Sequence, residues 1–517
     1  MLYNGCASVG SGCVTDYTAR PNANSPNQWM DTMKTFKNYI NGKWVGSVSG
    51  KTSTNHNPAK KDEVICEVQA SVVEDAEAAI SAAESAYRQW RKTPVPERAA
   101  LLQDVVRKMC EREDDFARAI TLENGKTLRE SRAEFLAAVK EAEFQIGQGR
   151  RLGGEYVPSE RPGTICYLAR QPIGVVSLIT PWNFPLNVAC RKMFPALIAG
   201  NCCVLKPADF TPMTPALLFE VMDEVGMPAG TANYITGRGS VIGDTLVSHP
   251  AVRAVSFTGS TQVGLGIAKK AAEQRTKVQL EMGGKNPIVV LADADLEEAV
   301  DSAILGAYSC AGQWCTSTSR AIVEAGVYDE FVDMLVRKTR QISVGSGLEE
   351  ASRMGPVAGP TQYESILSYI EIGKQEGARL CTGGRALTDG DMPNGYFIEP
   401  TVFADVTSKM RIAQEEIFGP VLSVMKAADF EDAVRTANDT IFGLASSIYT
   451  RDLEKASRFV EESEVGLCHV NMPTAWKEPQ LEFGGIKDSG RGLPEAGKTG
   501  AEFFTEHKAV YIRSHRG

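Results

Sequence analysis

The feature that most constrains this chain is a series of short apolar runs, each followed by a segment with helical spacing. Val175-Val-Ser-Leu-Ile179, Cys202-Cys-Val-Leu-Lys206, Ala254-Val-Ser-Phe257 and Ile288-Val-Val-Leu291 are apolar at nearly every position. Runs of that kind suit strands buried on both faces, as in a parallel sheet covered by crossover helices. The spacing predicts intervening helices over 214–225, stopped by Gly226, and over 261–272. The pattern restarts at Arg320-Ala-Ile-Val-Glu324, read as a strand, followed by a helix over 328–342. The fold class is therefore α/β, with doubly wound parallel sheets and a second such domain from roughly 285 to 480.

The flanking segments read differently. From 73 to about 150 the pattern is helical: Ala76, Ala79, Ile80, Ala83 and Tyr87 share a face, and another helix follows Pro94-Val-Pro-Glu97. The chain closes on Phe503-Phe-Thr-Glu-His-Lys-Ala-Val-Tyr-Ile512, whose alternation suits an edge strand able to pair with another subunit. Residues 1–34 are rich in Asn, Ser, Gly and Pro without a period, and are read as a disordered extension or as sequence upstream of a start at Met33.

Composition removes several functional classes. A chain of 517 residues is too long for one core. The net charge of −9, without a basic patch, argues against a nucleic-acid partner. No apolar run approaches the roughly 20 residues that a membrane span needs. The 12 cysteines form no disulfide framework, which points to a reducing cytoplasm. None of the five histidines lies near Cys310 or Cys315 in sequence, so no metal site is expected.

Chemistry-bearing residues cluster at predicted strand ends. Cys315, in Gly312-Gln-Trp-Cys-Thr316, stands behind a glycine able to turn the chain; a thiol is a useful nucleophile only when its thiolate is stabilised and exposed. Taken alone, it fits a buried packing residue better. Glu281 ends an alternating run ahead of Gly283 and Gly284, where burial would make it a general base. Asn183, in Thr180-Pro-Trp-Asn-Phe-Pro185, is flanked by prolines that fix the backbone, and its amide could hold an oxyanion. Phe257-Thr-Gly-Ser-Thr-Gln-Val-Gly264 reads as strand, turn and helix start, with Gly259 and Ser260 placed to take a pyrophosphate. Its spacing is not the dinucleotide fingerprint, so the signal is weak alone. Lys206-Pro-Ala-Asp209 ends another strand, where Asp209 could accept from a ribose hydroxyl.

Together and in this order, these stretches resemble the NAD(P)-dependent aldehyde dehydrogenases from about residue 36 to the C-terminus. Glu415-Glu-Ile-Phe-Gly-Pro420 adds a further matching motif. The resemblance implies two doubly wound parallel-sheet domains and a β oligomerisation arm. Residues 35–153 and 173–284 would bind the nucleotide, 285–485 would form the catalytic domain, and 154–172 with 486–517 would form the arm. It implies Cys315 as the nucleophile that forms a thiohemiacetal, Asn183 and the Cys315 N–H as oxyanion donors, and Glu281 as the base that hydrolyses the thioester. It places Thr180, Pro181, Trp182, Lys206, Asp209, Gly259, Ser260, Gly264, Glu416 and Phe418 around the cofactor. An acid at position 209 favours NAD by repelling a 2′-phosphate, although the short Asp leaves room for NADP. Members of the family are dimers or tetramers.

Substrate class turns on Arg191, eight residues after Asn183 and thus about two helical turns along. Facing a substrate tunnel it would clamp a carboxylate; otherwise it is a surface residue paired with an acid. Succinate-semialdehyde dehydrogenases commonly carry Arg six residues before the nucleophile, where this chain has Ser309. The late segments Val470 to Gly485 and Lys487 to Glu495 look more like the 2-oxoglutarate-semialdehyde (2,5-dioxopentanoate) dehydrogenases. Succinic semialdehyde and a broad aldehyde range remain alternatives. Thr474 and Ala475 are expected at the substrate entrance. Cys310 is read as a small residue on the helix leading to the nucleophile, and Trp314 as either narrowing the site or facing the core.

Overall fold

The computed structural model describes residues 34–513; the predicted extension, apart from Lys34, lies outside the described residues, as do residues 514–517. Two large sheets organise the rest. The first has eight strands, in the order Gly490–Arg491, Lys277–Glu281, Val252–Thr258, Val175–Ile179, Cys202–Lys206, Ala232–Tyr234, Asn38–Ile40 and Lys43–Val45. Its five central strands are parallel. The Val175–Ile179 and Cys202–Lys206 runs match their predicted bounds, since every residue but Ile179 is buried.

The strand order fixes where a ligand can enter. From Val175–Ile179 the chain winds one way through Cys202–Lys206 and Ala232–Tyr234, then returns to lay Val252–Thr258 on the other side. The crossovers therefore diverge at the C-terminal ends of Val175–Ile179 and Val252–Thr258, leaving a crevice there. Asn183 and Ser260 follow those two strands. Helices Pro185–Ile198, buried throughout, and Leu128–Gln148 pack against each other beside this sheet.

The second sheet has seven strands: Arg379–Thr382, Thr401–Ala404, Val421–Ala427, Thr318–Glu324, Asn286–Val290, Ala445–Tyr449 and Leu467–Val470. All its pairings are parallel except the first. Each large sheet carries its own apolar core.

A third sheet joins Tyr156–Val157, Thr164–Pro172 and Thr505–Arg513, antiparallel, with nine paired positions from Thr505↔Pro172 to Arg513↔Thr164. The arm expected over 486–517 is shorter than the resemblance implies. Gly490–Arg491 pairs with Lys277–Glu281 in the first sheet, and helix Gly497–Phe503 packs on Leu128–Gln148 and Pro185–Ile198. Among the described residues of that segment, Thr505–Arg513 is the part that pairs with Thr164–Pro172. Two-residue strands carry no alternation by which a sequence reading could assign them.

Candidate active site

Three backbone segments converge on Cys315. Helix Leu296–Tyr308 ends before it, and the chain then turns through Cys310 and Ala311, both left-handed with φ of 54° and 56°. Cys310 is buried, as packing required, but it lies off the helix. Its N–H donates to the Glu130 carboxylate at 2.8 Å, which holds the unusual conformation. Gly312 follows at φ 68°, and a side chain there would collide with the Gly419 carbonyl, so only glycine fits.

The Cys315 loop is then tied down by side chains. Asn286 donates to the carbonyls of Cys315 and Ser317, each at 2.8 Å, and accepts from Ala445 N–H at 3.0 Å. Gln313 donates to Cys310 O and accepts from Ala358 N–H. Asn183, buried at the start of helix Pro185–Ile198, donates to Gln313 O at 3.1 Å. The structure thus brings Asn183 to the Cys315 loop across 130 residues of sequence. Trp314 packs its ring on Phe184 with centroids 4.9 Å apart and lines a cavity with Glu416, Phe418 and Ser317, so it narrows the site.

Cys315 keeps partial exposure, yet the surrounding protein pushes its thiol up to about 12; Arg191 opposes that rise, while Glu416 and Glu281 add to it. Glu281 ends strand Lys277–Glu281 and is 3% exposed. Burial, then the Glu495 charge, raises its carboxyl well above the ordinary range, and Oε2 has no hydrogen-bond partner. A buried carboxyl that is only partly satisfied and lifted in pKa suits proton abstraction near neutral pH.

Glu495 organises the charge behind Glu281. It pairs with Lys192 and lies 2.9 Å from Arg191 Nε, without hydrogen-bond alignment in the latter contact. Arg191 is 4% exposed, so it is an interior residue rather than a surface one. Its Cζ sits 4.3 Å from the Phe483 ring centroid, and its guanidinium donates no hydrogen bond to any described residue.

The remaining predicted residues fall as follows. Lys206, buried at its strand end, donates to Pro207 O and lies 3.3 Å from the half-exposed Asp209. Gly259 N–H donates to Glu281 O, and Ser260 caps helix Thr261–Gln274 without using its side chain. Gly264 faces Met282, where a larger residue would collide. Thr180 N–H donates to Lys206 O while its buried hydroxyl has no partner; Trp182, after Pro181, packs edge-on against Phe418 at 5.3 Å. Glu416 accepts from Gly284 N–H at 3.0 Å, and burial pushes its carboxyl up to about 7. Phe418 has φ 55° and its carbonyl accepts from Gln362.

Thr474 departs from expectation. It is fully buried, donates to Thr316 O at 2.8 Å and shares a hydrogen bond with Thr318. Its hydroxyl is spent on the nucleophile loop, not on the entrance, and Ala475 is likewise buried. Sequence reasoning passed over Asn286, Lys192 and Glu495. Asn286 offered a signal, a polar residue opening an apolar strand just after Gly283-Gly-Lys285; the ion pair, 303 residues apart, offered none.

Comparison with known proteins agrees with this geometry. The chain belongs to the aldehyde dehydrogenase family, whose model matches residues 44–510. It is 43% identical to the alpha-ketoglutaric semialdehyde dehydrogenase of Bacillus subtilis (strain 168), covering 93% of this chain and 98% of that protein. It is 40% identical to the 2,5-dioxopentanoate dehydrogenase of Saccharolobus solfataricus, covering 93% and 99%. A crystal structure of betaine aldehyde dehydrogenase from Staphylococcus aureus in complex with NAD+ superposes with a TM-score of 0.92, at 37% identity, over 95% of this chain and 97% of that one.

Proposed function

We propose that this aldehyde dehydrogenase oxidises 2-oxoglutarate semialdehyde (2,5-dioxopentanoate) to 2-oxoglutarate with NAD+. The observation that carries the substrate assignment is Arg191: an interior cation, close enough to Cys315 to affect its thiol, with hydrogen-bond donors not used within the protein. A carboxylate four carbons from the reacting aldehyde would take those donors. The names of the Bacillus and Saccharolobus relatives support the same substrate.

In this reading the Cys315 thiolate attacks the aldehyde carbon, and the Asn183 amide with the Cys315 N–H holds the oxyanion. NAD+, when bound, supplies the hydride acceptor. The residues fit it: the orphaned Thr180 hydroxyl, the open N-terminus of helix Thr261–Gln274 and the half-buried Glu416 carboxylate adjoin the crevice between diverging strands. Thr180, Pro181, Trp182, Lys206, Asp209, Gly259, Ser260 and Gly264 would hold the adenosine and pyrophosphate. Glu416 and Phe418 would hold the nicotinamide end. The NAD+ complex of the Staphylococcus structure supports this choice, and the acid at 209 favours NAD over NADP. Glu281 then takes a proton from the water that opens the thioester.

The apolar side chains exposed on the arm, Tyr156, Ile165, Tyr511 and Ile512 among them, support a homo-oligomer. Ten free cysteines among the described residues support a reducing, cytoplasmic setting. No helix among the described residues is long and apolar enough to cross a membrane.

Initial rates of NADH formation test the assignment, with 2,5-dioxopentanoate, succinic semialdehyde and butanal as substrates, each with NAD+ and NADP+. The keto acid should give the highest kcat/KM with NAD+, and Cys315→Ala should abolish turnover. Equal use of butanal would overturn the substrate assignment.

A further inference from the structure

Lys477 is a cation near Arg191 that the catalytic scheme leaves without a task and that keeps side-chain exposure, unlike the fully buried Lys192. Its Nζ lies 2.7 Å from Glu141 Oε2, in a pair where Glu141 is fully buried and the lysine side chain keeps 21% exposure. The ammonium therefore reaches in from the accessible side. It lies 5.9 Å from the same Phe483 ring that Arg191 overlies at 4.3 Å, and each cation feels the other's charge. Lys477 follows Thr474 by three residues, and Thr474 is bonded to Thr316 O, next to the nucleophile.

The cluster holds three cations, Arg191, Lys192 and Lys477, against two paired carboxylates, Glu495 and Glu141. Glu281 stands behind them, its carboxyl raised above the ordinary range by burial and then by the Glu495 charge. Cations gathered in a largely buried region favour an anion that takes their unused donors. Neither cation is saturated: Arg191 donates no hydrogen bond to a described residue, and Lys477 has three N–H donors with one directed at Glu141.

We infer that Lys477 is a second specificity-determining residue, seating with Arg191 the 2-oxo-acid end of the substrate. Arg191 takes the carboxylate in a two-point contact, and Lys477 takes the adjacent 2-oxo oxygen. An α-dicarbonyl anion satisfies both; a plain carboxylate satisfies Arg191 and leaves Lys477 on Glu141 alone. The inference rests on the substrate reading above and deepens it.

The test measures kcat and KM of the full-length enzyme and of Lys477→Gln, Lys477→Met and Lys477→Arg with NAD+ and the three aldehydes. Neutralising Lys477 should lower the kcat/KM ratio of 2,5-dioxopentanoate over butanal about tenfold or more through KM. The ratio of succinic semialdehyde over butanal should fall by about threefold or less, and Lys477→Arg should restore most of the loss. Equal losses on all three aldehydes would make Lys477 a mere support for Glu141 and overturn the inference. A wild-type preference for 2,5-dioxopentanoate that survives in both neutral variants would overturn the lysine's role alone. A wild-type enzyme without that preference would overturn the substrate reading and the lysine's role together.

Discussion

Arg191 Nε and Glu495 Oε2 face each other 2.9 Å apart inside the protein, in contact but not aligned for a hydrogen bond. Glu495 thus serves two cations at once, Lys192 on one oxygen and Arg191 on the other. Removing Glu495 strands both positive charges, whereas removing Arg191 leaves Glu495 with Lys192. Glu495→Gln should therefore destabilise the fold by about 3–5 kcal/mol, and Arg191→Met by less. Urea unfolding would show it, and the double variant should lose less than the sum of the two.

Glu281 gives a pH signature with a definite sign. Its carboxyl titrates well above the ordinary range in the fold, so it becomes a working base only as pH rises through that raised value. The turnover number should climb as pH rises through that raised value, and Glu281→Gln should remove the climb and stall hydrolysis of the thioester. In stability the sign reverses. The folded state holds this proton where the unfolded chain has lost it, so the contribution of Glu281 falls as pH rises from the ordinary carboxylate value toward the raised one. Comparing chemical denaturation of wild type and Glu281→Gln at pH 5 and pH 8 checks this: the variant should gain on the wild type at the higher pH.

Glu416 predicts a cofactor effect on the acid side. Its carboxyl sits at about 7, raised by burial. Below that pH it is protonated and accepts poorly from a ribose hydroxyl. KM for NAD+ should rise as pH drops below about 7, and Glu416→Gln should have a high KM that no longer responds to pH.

Asn286 fixes the Cys315 loop through three hydrogen bonds, two to the loop carbonyls of Cys315 and Ser317 and one from strand Ala445–Tyr449. Asn286→Ala leaves the Cys315 carbonyl unheld, and a displacement on the order of 1 Å in a reacting group costs about 100-fold in rate. Turnover should fall by about that factor. Labelling of Cys315 by iodoacetamide would report the displacement separately from cofactor binding.

Several central strands of the first sheet were legible because parallel central strands are apolar on both faces, and Val175–Ile179 and Cys202–Lys206 show that run directly, whereas the short strands Ala232–Tyr234, Asn38–Ile40 and Lys43–Val45 were not. The candidate residues Cys315, Glu281 and Asn183 stood out in sequence because each closes a strand or opens a turn, and the structure sets Asn183 against the Cys315 loop. The supporting charges were not. Lys192, Glu495, Glu141 and Lys477 resemble surface residues in sequence, and their burial depends on partners hundreds of positions away. The Cys310 turn was misread for a local reason: Cys and Ala are unremarkable beside a helix, and only Glu130 and the Gly312 approach to Gly419 force the left-handed path. The Thr474 hydroxyl bond to Thr316 O was not legible because nothing local shows that the two segments meet.

The ladder between Thr164–Pro172 and Thr505–Arg513 also sets the order of events at birth. Arg170 and Glu502, which brace its base, are 332 residues apart. At ribosomal rates of about 5–20 residues per second, roughly 20 to 70 s pass between making one and making the other. Through that interval the Thr164–Pro172 edge has lost no entropy to its final partner and offers its backbone to any other chain. The Thr164–Pro172 edge thus waits for a partner made 332 residues later, and its backbone is what a competing chain would meet first.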